Sequence, residues 1–207
     1  MTGSVSKLFQ PFELLDDDAA EQISWLIELY AWRYRKTTPA QENRRVDLVR
    51  PLDGMAGYRR LSLAIYLSAK DKEFFELAKV SAARALRAKD GLRPEIRLMA
   101  SELLVAESPS GRKPNLGRNL ILVFLLSAGL RAGFRPTKGS HASGQKDVWT
   151  GHWLNDKLTQ RFGISIPINR INKVWEQREK TMREAGFGEA AVYEFFSELF
   201  ERSEQAE

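Results

Sequence analysis

Apolar residues recur at steps of three and four along most of the chain, and strict alternation is nearly absent. That spacing stacks side chains on one face of a helix, so the chain reads as all-α. Asp16, Asp17 and Asp18 suit a helix N-terminus, where the macrodipole favours negative charge. Ile23, Leu26, Ile27, Tyr30 and Tyr34 then form one stripe, and Arg33, Arg35 and Lys36 close the helix before Pro39. Trp25 and Trp32 stand seven residues apart and off that stripe. A second apolar face of this kind predicts either burial on two sides or a surface for a protein partner or a second copy.

Residues 37–54 have little periodicity and read as a loop or a short helix. A second helix is expected over 55–69, burying Tyr58, Leu61, Ala64 and Ile65. A third over 71–89 carries the stripe Phe74, Leu77, Ala78, Ser81, Ala82, Ala85 and Leu86, whose small members admit a close neighbour. Asp90-Gly91 marks a turn, and Pro94 suits the first turn of a fourth helix that buries Ile96, Met99, Ala100, Leu103 and Leu104. Residues 107–119, with two prolines and two glycines, form the clearest linker. The fifth helix, 117–132, is apolar all round in its middle and belongs at the centre of a bundle. Gly133 suits its left-handed C-terminal position.

A sixth helix covers 148–162 through Trp149, Trp153, Leu154, Leu158 and Phe162, and Gly163 ends it. Ser165 or Ile166 caps a seventh, running to 185 with Pro167 in its first turn and Ile168, Ile171, Val174, Trp175 and Met182 buried. Gly186-Phe187-Gly188 breaks the chain before an acidic helix that buries Val192, Tyr193, Phe196, Leu199 and Phe200. The expected architecture is seven to eight helices in an orthogonal or bundle arrangement. Residues 1–109 form an N-terminal helical layer, and 110–207 a C-terminal part containing the central helix 117–132 and a helix-turn-helix-like unit, 148–185.

Composition narrows the function. The 207 residues are 43% apolar, too apolar for a disordered chain, and hold no cysteine. A disulfide framework, a thiolate metal site and a cysteine nucleophile are therefore excluded. Residues 1–12 lack the apolar run of a signal peptide, and the longest apolar run is Leu120 to Leu126. A membrane-spanning helix needs about 20 such residues, so a cytoplasmic protein with no membrane partner is expected. The net charge of +5 conceals a distribution of −5 over residues 1–30, +15 over 31–185 and −5 over 186–207. Residues 110–147 carry +6 and 148–185 carry +3. A basic stretch of this size points to an anionic partner, nucleic acid first.

The strongest candidate site is the pair of helices flanking Gly163. A first helix and tight turn would set a second helix at a steep angle, as in a helix-turn-helix. The second helix buries Ile168, Ile171, Val174 and Trp175 and presents Asn169, Arg170, Asn172, Lys173, Gln177 and Arg178. Asn, Arg and Gln can bond base edges bidentately, and Lys reaches bases or phosphates. The match departs from the pattern four residues before Gly163, where Thr159 stands in place of a smaller residue. Arg131, Arg135, Lys138 and Lys146 in the adjoining connection are expected to hold phosphates. Gly139 to Lys146 fails the phosphate-loop pattern, because Gln145 separates the second glycine from the lysine. His141 lies in a Gly/Ser-containing loop, a poor place to pre-organise catalysis. His152, beside two tryptophans, has Asp156 four residues on, a pair that could orient a general base or equally be a surface helix contact. The expectation is a non-enzymatic protein that binds double-stranded DNA, without cofactor or metal. The alternative is a helical adaptor or inhibitor that meets another protein through Trp25, Trp32 and its acidic surfaces.

Overall fold

The computed structural model describes residues 11–16, 18–34, 63, 66–67, 72–87, 94–106, 115–134 and 150–204. These residues are helical throughout apart from turns, with no strand among them. The all-α reading holds. The order is a 3-10 helix, Pro11–Asp16, followed by α1 (Ala19–Tyr34), α2 (Lys72–Arg87), α3 (Pro94–Val105), α4 (Leu116–Arg131), α5 (Thr150–Phe162), α6 (Ile168–Glu176), α7 (Arg178–Ala185) and α8 (Glu189–Glu204).

The chain forms two compact units. One comprises residues 1–10 with 41–117, and the other 11–40 with 118–207. The sequence boundary expected between 109 and 110 falls outside the described residues.

In the first unit α2 packs on α3. Phe74, Phe75, Ala78 and Ala82 of α2 are buried, with Ala100 and Leu103 of α3. Lys79 closes this pair. Its ammonium stands 4.9 Å from the Phe75 ring centre and donates to the Ala106 carbonyl at 3.1 Å. Leu104 was expected inside but is exposed, because the α2 contact takes the Ala100/Leu103 side of the helix. Leu63, Tyr66 and Leu67 are helical and buried. The expected core positions Tyr58, Leu61, Ala64 and Ile65 lie outside the described residues.

The second unit is built around α4. Every residue from Leu120 to Leu126 is buried, as an all-round apolar helix requires. Ser127 joins them by returning its hydroxyl to the Val123 carbonyl at 2.9 Å. The helix ends in a Schellman motif. Gly133 has φ +82, its N–H donates to the Leu130 carbonyl, and the Phe134 N–H donates to Gly129. Phe134 then stacks on Trp153 of α5, ring centres 5.3 Å apart.

Helix α1 begins where the aspartates predict. Asp18 accepts the Glu21 N–H at 2.8 Å, an N-cap bond that satisfies one orphan donor. Its buried set is wider than one stripe and includes Gln22, Trp25 and Leu29 beside Ile23, Leu26, Ile27 and Tyr30. In α8 the buried residues are Val192, Phe195, Phe196 and Leu199. Tyr193, expected inside, is 77% exposed, while Phe195 has taken its place. The two residues point roughly opposite ways on a helix, so the choice of neighbour decides which is covered.

The two acidic ends meet in this unit. The 3-10 helix packs against α8. Arg202 of α8 donates to the Leu15 carbonyl at 2.6 Å and to Asp16 at 2.9 Å, and also pairs with Glu198. One arginine thus neutralises carboxylates from both ends, and these bonds hold its guanidinium firmly protonated.

Candidate nucleic-acid interface

The site is assembled by α5, the turn over residues 163–167, and α6. Leu154 and Leu158 of α5 are buried with Ile171, Val174 and Trp175 of α6. At the crossing the helices come close. A Cβ placed on Gly151 would stand 3.3 Å from Ile171 Cγ2, tighter than ordinary carbon contact. Gly163 adopts φ +66 and lets the chain leave α5 at once.

Two polar side chains of α5 then set the turn. Asn155 Oδ1 accepts the Ile166 N–H at 2.7 Å, with the Ser165 hydroxyl at 3.4 Å. The Thr159 hydroxyl donates to the Ile164 carbonyl at 3.1 Å. Thr159, the departure from the motif, is therefore a working part of this turn. Asn155 did not stand out in the sequence, since an Asn on a helix face carries no pattern, and Thr159 stood out only as a departure from the motif. The expected cap at Ser165 or Ile166 is corrected: Pro167 is the N-cap residue, and no side chain caps α6. Asn155 instead holds the Ile166 N–H, one residue ahead of that N-cap, from across the turn.

The long seventh helix expected to residue 185 is also corrected. It breaks at Gln177, where φ is −95 and ψ 15, into α6 and α7. Arg178 sits at this break. Its side chain donates to the Trp175 carbonyl at 3.1 Å, which also accepts a backbone N–H at the end of α6. Its guanidinium carbon lies 4.9, 5.2 and 5.7 Å from the ring centres of Trp175, Phe196 and Phe200. Cation–π attraction to three rings fixes it against the protein, so it is not a free base-reading group.

The other candidates separate into distinct places. Asn169 and Lys173 are exposed on α6, Arg170 and Asn172 half-buried beside them. Asn169, Asn172 and Lys173 make no hydrogen bond or ion pair among the described residues. Arg170 leans toward α1, where its charge acts on the Tyr30 hydroxyl; burial nonetheless pushes that hydroxyl well above the usual tyrosine range. Arg131 is engaged within the fold, donating to the Leu14 carbonyl at 2.9 Å and to Gln22 Oε1 at 3.0 Å. Its Nη1 ties α4 to the 3-10 helix and α1 and is not available for phosphate. Arg135, Lys138 and Lys146 lie outside the described residues, as does His141.

Trp25, proposed as a partner anchor, is only 6% exposed, so of the two readings of its face burial applies. The side chain of Trp32 lies outside the described residues. Among the described residues no helix is long and apolar enough to cross a membrane. No group of three His, Asp or Glu gathers there as metal ligands would.

Comparison of the chain with protein-family models, with curated proteins and with solved structures finds no match.

Proposed function

We propose that the second unit binds double-stranded DNA through α6. The observation that carries this reading is the pairing of a braced turn with an unengaged polar face. Asn155 and Thr159 hold the turn, Ile171, Val174 and Trp175 anchor one side of α6, and Asn169, Asn172 and Lys173 occupy the other without a hydrogen bond or ion pair among the described residues. A recognition helix uses its N-terminal residues for base contacts; Asn169 stands in the first turn of α6, with Asn172 and Lys173 one turn later on the same side. Asparagine suits adenine edges bidentately, and lysine suits guanine or phosphate. The net charge of +3 over residues 148–185 favours approach to a polyanion.

The test is binding of the full chain to duplex DNA across a salt series, followed by fluorescence anisotropy. Affinity should fall as salt rises, because phosphate contacts release counterions. Lys173→Ala should weaken binding to every sequence and reduce the salt slope by about 1. Asn169→Ala should instead narrow the gap between preferred and random sequences. Absence of binding at low salt, or a salt-independent response, overturns the reading.

A further inference from the structure

A second surface lies on the other side of the Gln177 break. Helices α7 and α8 pack together and leave a groove between them of about 490 Å³. Its walls are Glu179 and Arg183 of α7 and Val192, Tyr193, Phe196 and Phe200 of α8, with Glu189 at one end. Tyr193, Phe196 and Phe200 follow steps of three and four and form an aromatic ridge along the groove. The ridge is supported from below. Phe124 of the central helix meets Phe195 edge-on at 5.9 Å, Phe195 meets Phe196 at 5.0 Å, and Phe196 meets Phe200 at 6.4 Å. A run of rings thus leads from the core to a surface where Phe200 is 39% exposed.

Exposed large aromatics on a rigid base are the composition of interface hot spots rather than of a solvated face. An open groove between two helices fits the apolar side of a third helix, with anchors at i, i+3, i+4 and i+7. The charges choose among helices. Arg183 is answered by Glu179 at 3.6 Å. Glu189 and Glu204 flank the ridge at its two ends on the same face of α8, both exposed and without an ion pair among the described residues. Residues 186–207 carry a net −5. The rim is acidic where it is not self-neutralised.

We propose that the α7–α8 groove docks a basic amphipathic helix of a partner protein. Apolar residues of that helix lie on the exposed Tyr193 and Phe200, with the buried Phe196 as the floor between them, and its Lys or Arg residues reach Glu189 and Glu204. This site shares no residue with the DNA-binding face proposed on α6 and stands independently of it.

The probe is a fluorescein-labelled synthetic helix of leucine and lysine in amphipathic register, titrated with the full chain. A leucine/glutamate helix of the same register is the control. The lysine peptide should bind saturably and more weakly at high salt, and the glutamate peptide should not bind. Tyr193→Ala and Glu189→Lys, both at exposed positions, should each reduce the affinity at least tenfold while leaving the thermal midpoint and the DNA response unchanged. Failure of the lysine peptide to saturate, equal binding of both peptides, or indifference to both substitutions overturns the proposal.

Discussion

Two pairs of helices in the second unit are joined by a glycine in the left-handed region, and side chains reinforce one of these turns. Between α5 and α6 stands Gly163, and between α7 and α8 stands Gly186, with φ +101. The first turn closes with backbone bonds, Gly163 N–H to Thr159 and Ile164 N–H to Leu158, and adds side chains, Asn155 and Thr159 reaching across to the backbone of residues 164–166. The second also closes with backbone bonds. The Gly186 N–H donates to Arg183 and the Phe187 N–H to Met182, and the buried Phe187 adds an apolar plug. A glycine between two apolar stripes signals both turns equally in sequence. What each pair displays differs: amides and a lysine with no bond or ion pair among the described residues on α6, exposed rings and carboxylates on α8. The contrast shows that a common local device supports unlike surfaces, the difference coming from which side chains the turn itself consumes.

The largest effect that would break this contrast is expected at Arg178, which joins the two pairs. Arg178→Ala removes three ring contacts and leaves the Trp175 carbonyl without its side-chain donor. A loss of about 2–3 kcal/mol in unfolding free energy is expected from urea titration. Lys173→Ala, five residues earlier on an exposed surface, should change stability by less than about 0.5 kcal/mol. Equal costs at the two positions would show that Arg178 is solvated like Lys173.

A smaller effect sharpens the difference between the turns. Asn155→Ala strips the Ile166 N–H of its partner and should cost about 1–2 kcal/mol. It should also weaken DNA binding, by loosening α6, while leaving peptide binding at the α7–α8 groove unchanged. If both ligands respond alike, the two pairs are not mechanically separate.

The smallest effect concerns pH and is confined to strongly alkaline solution. Burial raises the Tyr30 hydroxyl above its ordinary value, opposed by the nearby Arg170 charge. The unfolded chain ionises near the usual tyrosine pKa of about 10, while folded Tyr30 keeps its proton. Stability associated with Tyr30 is therefore complete below about pH 10 and falls as pH rises beyond it, by at most about 1.4 kcal/mol per pH unit. Tyr66 in the other unit, raised by burial too, adds its own fall. Tyr30→Phe should make the alkaline decline of the second unit shallower, read as the change in urea midpoint with pH. An unchanged slope would place the Tyr30 hydroxyl in water.

Much of the second unit was legible in sequence. The all-round apolar run at Leu120 to Leu126 marked the central helix, and Gly133, Gly163 and Gly186 marked its breaks, because these features depend on neighbours in the chain. The errors share another cause. Tyr193 and Phe195 satisfy helical spacing nearly equally well, and only the position of the neighbouring helices selects between them. Leu104 fails in the same way. The break at Gln177 has no proline or glycine to announce it. It is accompanied by an arginine whose ring partners at 196 and 200 lie some 20 residues on.

Charge shows the division most plainly. The sequence by itself determined that the chain is helical, where most helices stop, and that acidic ends flank a basic middle. It could not say which charges are spent inside the fold. Arg131 bonds a carbonyl 117 residues away, and Arg202 one 187 residues away. Arg178 is surrounded by rings, whereas Lys173 remains on the surface. Helix periodicity is a short-range property of the backbone. The partner of a long cationic side chain is decided by whichever distant segment packing brings within about 3 Å. Only the tertiary structure therefore separates the basic residues that hold this protein together from those left to meet another molecule.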